Sequence, residues 1–337
     1  MKLATHLLPW LLPLATPVDA LAQGSLTPPG PPAPTMKALD QVEPRTPIDA
    51  THAPGDADSL FRITESGSYY LTGNVSGEAA KHGIEIASSD VSLDLMGFTL
   101  QGVPGSLDGV FVASELAQVS VANGTIRDWD DDGVDALSAT NVKLRDLDAA
   151  GNAKRGLVAG RNAVISSCAA YLNGEFGIVT AEGSVITNCI ATNNSGIGIS
   201  GGRNCAISDS VVRENGSIGI FADFAGVISR SSAYDNTLIG IGSLKGGTII
   251  GCSARQNGMS GISADDGSSV IDCAASANQA SGITVASDCI ARGNTYHING
   301  FFRATAPASM SPAGAPGSKP TTARRMTVFS RWTVAAT

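Results

Sequence analysis

Hydrophobic positions in this chain recur at a fixed distance along the sequence. A glycine followed by an aliphatic residue returns every 21 residues from Gly156 to Gly282. Looser spacings extend the series back to Gly83, as expected if the earlier repeats carry small insertions. The aliphatic members are Ile84, Val110, Val134, Leu157, Ile178, Ile199, Ile220, Ile241, Ile262 and Ile283. The pattern predicts a column of buried side chains in a repeat protein.

Polar and small residues keep the same 21-residue step. An asparagine column contains Asn152, Asn173, Asn194, Asn215, Asn236, Asn257 and Asn278, and Asn294 extends it if five residues are deleted. Three residues before each asparagine lies a small residue, usually alanine, and eight before lies an aliphatic one. Five before lies Leu147, Cys168, Cys189, Ser210, Ser231, Cys252, Cys273 or Cys289.

This spacing predicts an all-β fold, a parallel β-helix of about nine to ten coils with ~21 residues in each regular coil. Helical repeats need longer units and better helix formers, whereas these coils are rich in glycine and β-branched residues. Three short strands and three turns fit into one coil, and equivalent side chains then stack about 4.8 Å apart. We expect the asparagines to occupy left-handed turn positions and to bond to one another through their amides.

The rest of the chain divides into four shorter segments. Residues 1–22 have the charged start, apolar run and small-residue cleavage site of a signal peptide, and no other run approaches the ~20 apolar residues of a membrane span. A proline-rich arm covers 23–58. A β cap at 59–82 precedes the β-helix of 83–302, and 303–337 form an irregular basic tail, rich in proline and alanine. This tail is either native or the product of a shifted frame.

Composition narrows the function. The net charge of −8 argues against a nucleic-acid partner, since phosphate binding needs a basic surface. The six cysteines of an exported protein would suggest disulfides, but leucine and serine fill the same column as four of them. We therefore expect free, buried thiols.

The repeated motif N-x-x-x-G-I resembles the right-handed parallel β-helix superfamily, with the pectin-lyase-like fold. The segments "ITESGSYYLTGNVSG" and "VSLDLMGFTLQG" look like those of exported bacterial β-helix proteins of undemonstrated activity. Characterised members of the superfamily bind or cleave acidic polysaccharides, so the resemblance implies a role in contact with glycans. Fold alone does not establish that function.

The segment "RDWDDDGVDA" is the most acidic part of the chain. Clustered carboxylates on a turn suit Ca²⁺, which many lyases of this fold use to bind the substrate, so Asp108, Asp130, Asp131, Asp132 and Asp135 are candidate ligands. The alternative is a solvated acidic turn. Trp129 beside them either stacks on a sugar or packs beneath the loop. The adjacent Asp131 and Asp132 are similar to a polygalacturonase pair, but the Gly-His-Gly and Arg-x-Lys motifs of those enzymes are absent.

A second candidate surface lies two residues before each asparagine. Aromatic and cationic residues are interspersed there, in the order Tyr171, Thr192, Arg213, Tyr234, Arg255, Ser276 and Arg292. If this column points outward, tyrosines would stack on sugar rings and arginines would pair with carboxylates. The alternative is a column in which arginine and tyrosine stabilise one another.

These observations favour an exported β-helix protein that binds a glycan or has a structural role at the cell envelope, in the periplasm, at the surface or outside the cell. The alternative is a lyase acting on uronate-containing polysaccharide, which would need a basic residue beside the substrate. No set of ionisable residues converges clearly in the sequence, which favours the first class.

Overall fold

The computed structural model describes residues 45–300, which contain 32 β-strands and no helix. Consequently, no helix in this range has the length and apolarity needed to cross a membrane. The predicted signal peptide, most of the predicted arm and the basic tail lie outside the described residues.

The strands are short and follow one another at regular intervals. The first sixteen are β1 (Thr46–Pro47), β2 (Ser59–Ile63), β3 (Gly67–Tyr70), β4 (Val75–Ser76), β5 (His82–Ile86), β6 (Val91–Asp94), β7 (Thr99–Gln101), β8 (Val110–Val112), β9 (Ser120–Arg127), β10 (Val134–Thr140), β11 (Lys143–Ala150), β12 (Leu157–Arg161), β13 (Val164–Ser166), β14 (Ala169–Tyr171), β15 (Ile178–Thr180) and β16 (Val185–Thr187). The others are β17 (Ile190–Thr192), β18 (Ile199–Gly201), β19 (Ala206–Ser208), β20 (Val211–Arg213), β21 (Ile220–Ala222), β22 (Val227–Ser229), β23 (Ser232–Tyr234), β24 (Ile241–Ser243), β25 (Thr248–Ile250), β26 (Ser253–Arg255), β27 (Ile262–Ala264), β28 (Ser269–Ile271), β29 (Ala274–Ser276), β30 (Ile283–Val285), β31 (Ile290–Arg292) and β32 (Thr295–His297).

All strand pairing in the two sheets is parallel, which confirms the predicted β-helix. An 11-stranded sheet, the first face, runs from β2 to β30, and the remaining strands form a 21-stranded sheet. From β13 onward that larger sheet provides a second face (β13 to β31) and a third face (β14 to β32), with one strand of each per turn. The solenoid has about 12 turns, slightly more than predicted. The difference arises because pairing begins early, with β1 against β3 and β2 against β5.

The core is made of one inward side chain per column and turn. In the three-residue strands of the second face the middle residue is buried, as with Ile186, while its neighbours point outward. Ile178 pairs with Ile199 on the first face, and Ile199 with Ile220. Each fully buried aliphatic side chain contributes roughly 1.5–3 kcal/mol to stability. Strict stacking therefore builds the core from identical small contributions.

The asparagine column forms a continuous buried ladder. The Nδ2 of Asn173 donates to the Oδ1 of Asn194 at 2.8 Å and to the carbonyl of Ala149 at 3.2 Å. The same side-chain bond links each pair from Asn152 to Asn278. These amides replace water as partners for one another and for the turn backbone inside the stack.

The ladder differs from its prediction in two ways. Its last member is Asn299, whose Oδ1 accepts from the Nδ2 of Asn278 at 2.9 Å, so no residues are deleted. Asn294 instead continues the cysteine column, accepting from the amide of Cys273 at 2.8 Å. The ladder asparagines are also not left-handed. Positive φ belongs to the residue before each of them, from Leu172 (59°) to Ile298 (47°).

All six cysteines are free thiols, as predicted, and five are buried. The predicted column is confirmed up to Cys273: the amide of Cys189 donates to the Oγ of Ser210 at 3.2 Å, and that of Cys252 to the Sγ of Cys273 at 3.4 Å. Cys289, predicted as its last member, lies outside it because Asn294 takes that place.

Candidate functional site

The outward column of the third face forms a continuous surface, which we call the Tyr–Arg stripe. Its members pair in register over seven turns and are Tyr171, Thr192, Arg213, Tyr234, Arg255, Ser276 and His297. Tyr171 and Arg255 are exposed, and Arg213 and Tyr234 are half-buried. Arg292, predicted as a member, is wrong, because it pairs with Ile271 on the second face and His297 takes its place.

A shallow pocket opens at the start of the stripe. It is lined by Tyr171, Leu172, Ile190, Thr192, Asn193 and Arg213. Leu172 is 63% exposed and Ile190 50% exposed, so the floor presents apolar surface between a tyrosine ring and a guanidinium. The Oγ1 of Thr192 is buried and has no hydrogen-bond partner within residues 45–300. This combination of apolar and polar surface is typical of small-ligand sites.

The acidic turn forms a second cluster, at the amino-terminal end of the first face. Oxygens of Asp108, Asp131 and Asp132 lie within 4.8 Å of one another. Asp108 lies beside Asp132, as predicted, because its Oδ1 accepts from the amide of Asp132 at 2.8 Å. Asp130 is directed elsewhere and accepts from the amide of Gly105 at 2.6 Å. The carboxylate of Asp135 accepts from the amide of Leu137 at 3.0 Å.

Basic side chains that the sequence analysis missed neutralise this cluster. The Arg155 guanidinium donates to Asp132 from Nε at 3.1 Å and from Nη2 at 2.5 Å. Lys154 pairs with Asp131 at 2.8 Å, and the Nδ1 of His82 lies 3.2 Å from Asp108. The signal was available in part, since His82, Asp108, Asp132 and Arg155 each precede a glycine of the 21-residue series or its irregular start.

Burial sets the electrostatics of this cluster. It raises the pKa of Asp132 to about 6, while hydrogen bonds from Arg155 pull it down. Burial also raises the pKa of Asp135. A hydrogen bond to Asp131 raises the pKa of Lys154, which keeps its amine charged. A charged amine is a poor base, so the cluster shows no free basic group for proton abstraction.

The spacing of the three carboxylates suits a metal ion, but their partners fit it poorly. Ca²⁺ takes six to eight oxygen ligands, and here two of the three carboxylates already bind Arg155 and Lys154. A cation would have to displace both. We therefore derive no metal chemistry from the cluster.

Trp129 lies inside the solenoid and is only 1% exposed. Its Nε1 donates to the carbonyl of Leu100 at 3.2 Å. Its ring is so close to Gly83 that a Cβ there would meet it at 2.7 Å. The prediction that Trp129 contacts a sugar is wrong, and its alternative, packing beneath the acidic turn, agrees with the structure.

Comparison with known families and structures identifies the architecture. The family model described as "Right handed beta helix region" matches residues 59–204 and 195–306. No curated protein sequence matches significantly.

Several solved structures share the fold at low sequence identity. The A-module of the Azotobacter vinelandii mannuronan C-5 epimerase AlgE4 is 16% identical with a TM-score of 0.58, over 73% of this chain and 91% of that one. The Dettilon tailspike protein gp208 is 16% identical with a TM-score of 0.59, over 71% and 60%. Tailspike gp49 of Acinetobacter baumannii bacteriophage Fri1, a capsular polysaccharide depolymerase, is 11% identical with a TM-score of 0.50, over 80% and 64%. At these identities the likeness concerns the fold.

Proposed function

We propose that this chain, which belongs to the right-handed β-helix family, binds a polysaccharide along its Tyr–Arg stripe. The observation that carries the proposal is the register of Tyr171, Arg213, Tyr234 and Arg255 on one outward column. Members of the column repeat about every 4.8 Å, so the stripe offers the same kinds of contact again and again along its length. A chain of repeated sugar units is the ligand that matches such a surface.

The chemistry of the side chains supports this proposal. A tyrosine ring presents an apolar face to the C–H groups of a sugar while its hydroxyl stays in water. A guanidinium offers five N–H donors to sugar oxygens. Two structures of similar fold have names that refer to polysaccharides, the mannuronan epimerase and the capsular polysaccharide depolymerase, and this supports the same ligand class by analogy.

Export belongs to the same proposal and rests on the amino-terminal sequence of residues 1–22. A binding or structural role at the cell envelope fits an exported solenoid. The alternative, a lyase, has less support, because the basic groups nearest the acidic turn are held in ion pairs.

Retention of the full chain on immobilised polysaccharides would test the proposal. We expect Tyr171→Ala/Tyr234→Ala to weaken retention about tenfold, the equivalent of losing one good stacking contact. The matched control is Phe224→Ala, which removes a 39% exposed ring away from the stripe. Equal retention of the tyrosine variant, with an unchanged melting temperature, would overturn the proposal.

The same preparation separates binding from catalysis. Incubation with uronate-containing polysaccharide, with and without a chelator, is followed by the ultraviolet absorbance of unsaturated uronides. Growth of this absorbance would make the chain a lyase, and its loss on chelation would implicate the acidic turn in metal binding.

A further inference from the structure

A second column of polar side chains runs beside the Tyr–Arg stripe. Its members each follow a stripe residue, are exposed, and have left-handed φ values of 55°, 54°, 55° and 57°; they are Asn193, Glu214, Asp235 and Gln256. Their amides bind the stripe of the next turn: Glu214 donates to the carbonyl of Tyr234 at 3.2 Å, and Asp235 to that of Arg255 at 3.1 Å. The two columns therefore keep one register.

The left-handed backbone makes the choice of residues at these positions informative. Residues other than glycine adopt positive φ rarely, and asparagine and aspartate tolerate it best. Glycine fills the equivalent place at Gly151, one turn before Leu172. From Asn193 to Gln256 the column instead has four consecutive side chains that end in an amide or a carboxylate. These are planar groups that bind hydroxyls through both of their terminal atoms.

Charge on the combined surface is balanced. Arg213 and Arg255 supply two positive groups, and Glu214 and Asp235 supply two negative ones. Arg213 is already paired with Glu214, with Nη1 and Oε1 3.2 Å apart. A polymer carrying a carboxylate on every sugar would meet two protein carboxylates between and beside the arginines, and like charges at such distances repel.

We infer that the ligand of this surface is a neutral glycan, and this inference rests on the function proposed above. The tyrosines provide stacking surfaces, while adjacent planar groups bind pairs of sugar hydroxyls. A hydroxyl both donates and accepts, so a carboxylate of the second column takes its proton while a guanidinium of the stripe donates to its oxygen. Such a site needs both signs of charge side by side, as they are here. An acidic ligand would favour arginines without neighbouring acids.

The test compares the full chain with the variant Glu214→Gln/Asp235→Asn on a soluble neutral β-glucan, a neutral galactomannan and polygalacturonate. For the wild-type chain we expect retention on at least one neutral polymer that does not change between low and high salt. The variant should lose about tenfold on that polymer, since hydrogen bonds to charged acceptors are replaced by weaker neutral ones. Its retention on polygalacturonate should rise, and salt should abolish that gain.

A matched control removes the same charge elsewhere. Glu182→Gln/Asp223→Asn changes two acids on the turns that follow the first face, away from the stripe. If this control shifts retention as much as the site variant does, the effect belongs to net charge and the inference is overturned.

The inference and the proposed function fail in different ways. Retention of polygalacturonate alone, weakened by salt and strengthened by Glu214→Gln/Asp235→Asn, would overturn the neutral ligand while leaving polysaccharide binding intact. If Tyr171→Ala/Tyr234→Ala leaves every retention unchanged, the stripe is not the binding surface and both fail. Melting temperatures of all variants separate these outcomes from misfolding.

Discussion

Arg155 holds Asp132 by three hydrogen bonds, two from its guanidinium and one from its own backbone amide at 2.8 Å. The backbone bond belongs to a series. The amide of Asp132 donates to Asp108, and that of Asp108 donates to the Nδ1 of His82 at 3.2 Å. Over these four turns each side chain therefore caps the backbone of the next turn, in the part of the solenoid where the repeat is longest.

Removing the guanidinium should destabilise the fold. Arg155→Met leaves the Asp132 carboxylate, only 1% exposed, without its cation, and a broken buried ion pair costs about 3–5 kcal/mol. Urea unfolding at neutral pH measures this loss. The control Arg203→Met removes a 62% exposed side chain and should cost less than about 1 kcal/mol. Equal losses for the two variants would show that Asp132 does not depend on Arg155.

The raised pKa of Asp132 predicts a pH dependence with a definite sign. Its folded value of about 6 exceeds the ordinary 3.8, so the native state binds this proton more tightly than the unfolded chain does. The contribution of Asp132 to stability is therefore greatest below pH 4 and is lost as the pH rises through 6, a change of about 3 kcal/mol. Unfolding free energies of the wild type and Asp132→Asn should converge or cross over this range. Parallel curves would contradict the prediction.

An interior member of the asparagine ladder should matter more than an exposed asparagine. The Nδ2 of Asn215 donates to Ala191 at 3.1 Å and to Asn236 at 2.9 Å, and its Oδ1 accepts from Asn194. Asn215→Ala leaves buried partners above and below unsatisfied, at a cost of about 2–4 kcal/mol. Thermal unfolding should show a clearly smaller loss for Asn204→Ala, an exposed asparagine bonded only to Glu182.

The thiols should differ sharply in reactivity. Cys289 is partly exposed, whereas Cys168, Cys189, Cys205, Cys252 and Cys273 are buried, and burial raises the pKa of Cys205 to about 11. A thiol reagent should label Cys289 alone in the native protein and the five others only after unfolding. Rapid labelling of several thiols without denaturant would mean that the turns open locally.

Serine should replace cysteine in their shared column. Cys252 donates from Sγ to the carbonyl of Ile250 at 3.4 Å, and Ser210 makes the equivalent bond to Ser208 at 2.9 Å. Cys252→Ser should therefore change the free energy of unfolding by less than about 1.5 kcal/mol in urea titrations. A larger loss would show that packing of the sulfur determines this site.

Much of the solenoid could be predicted because stacking turns sequence period directly into contact. Residues 21 apart, such as Asn173 and Asn194, are neighbours, so the columns could be identified from the letters alone. The same logic failed for Asn294 because an asparagine at the cysteine position makes a serviceable bond there too, and only the unbroken register distinguishes the two columns.

The acidic cluster escaped prediction for a related reason. His82 and Asp108 are 26 residues apart, Asp108 and Asp132 are 24 apart, and Asp132 and Arg155 are 23 apart. Without a constant step, their contacts depend on how much extra chain each turn places elsewhere. The burial of Trp129 was equally hidden, because it depends on the missing side chain of Gly83, one of whose neighbours it fills.

The unbroken register from Asn173 to Asn278 also makes the length of this protein adjustable. Each turn in that stretch presents the same edges to the turn before and the turn after, so a copy of one whole repeat could be inserted, or one removed, without a new junction to solve. Both the inner ladder and the outer stripe would lengthen together. A gene duplication of 63 bases, about one repeat of 21 codons, would thus give a longer fibre-like rod with one more binding row.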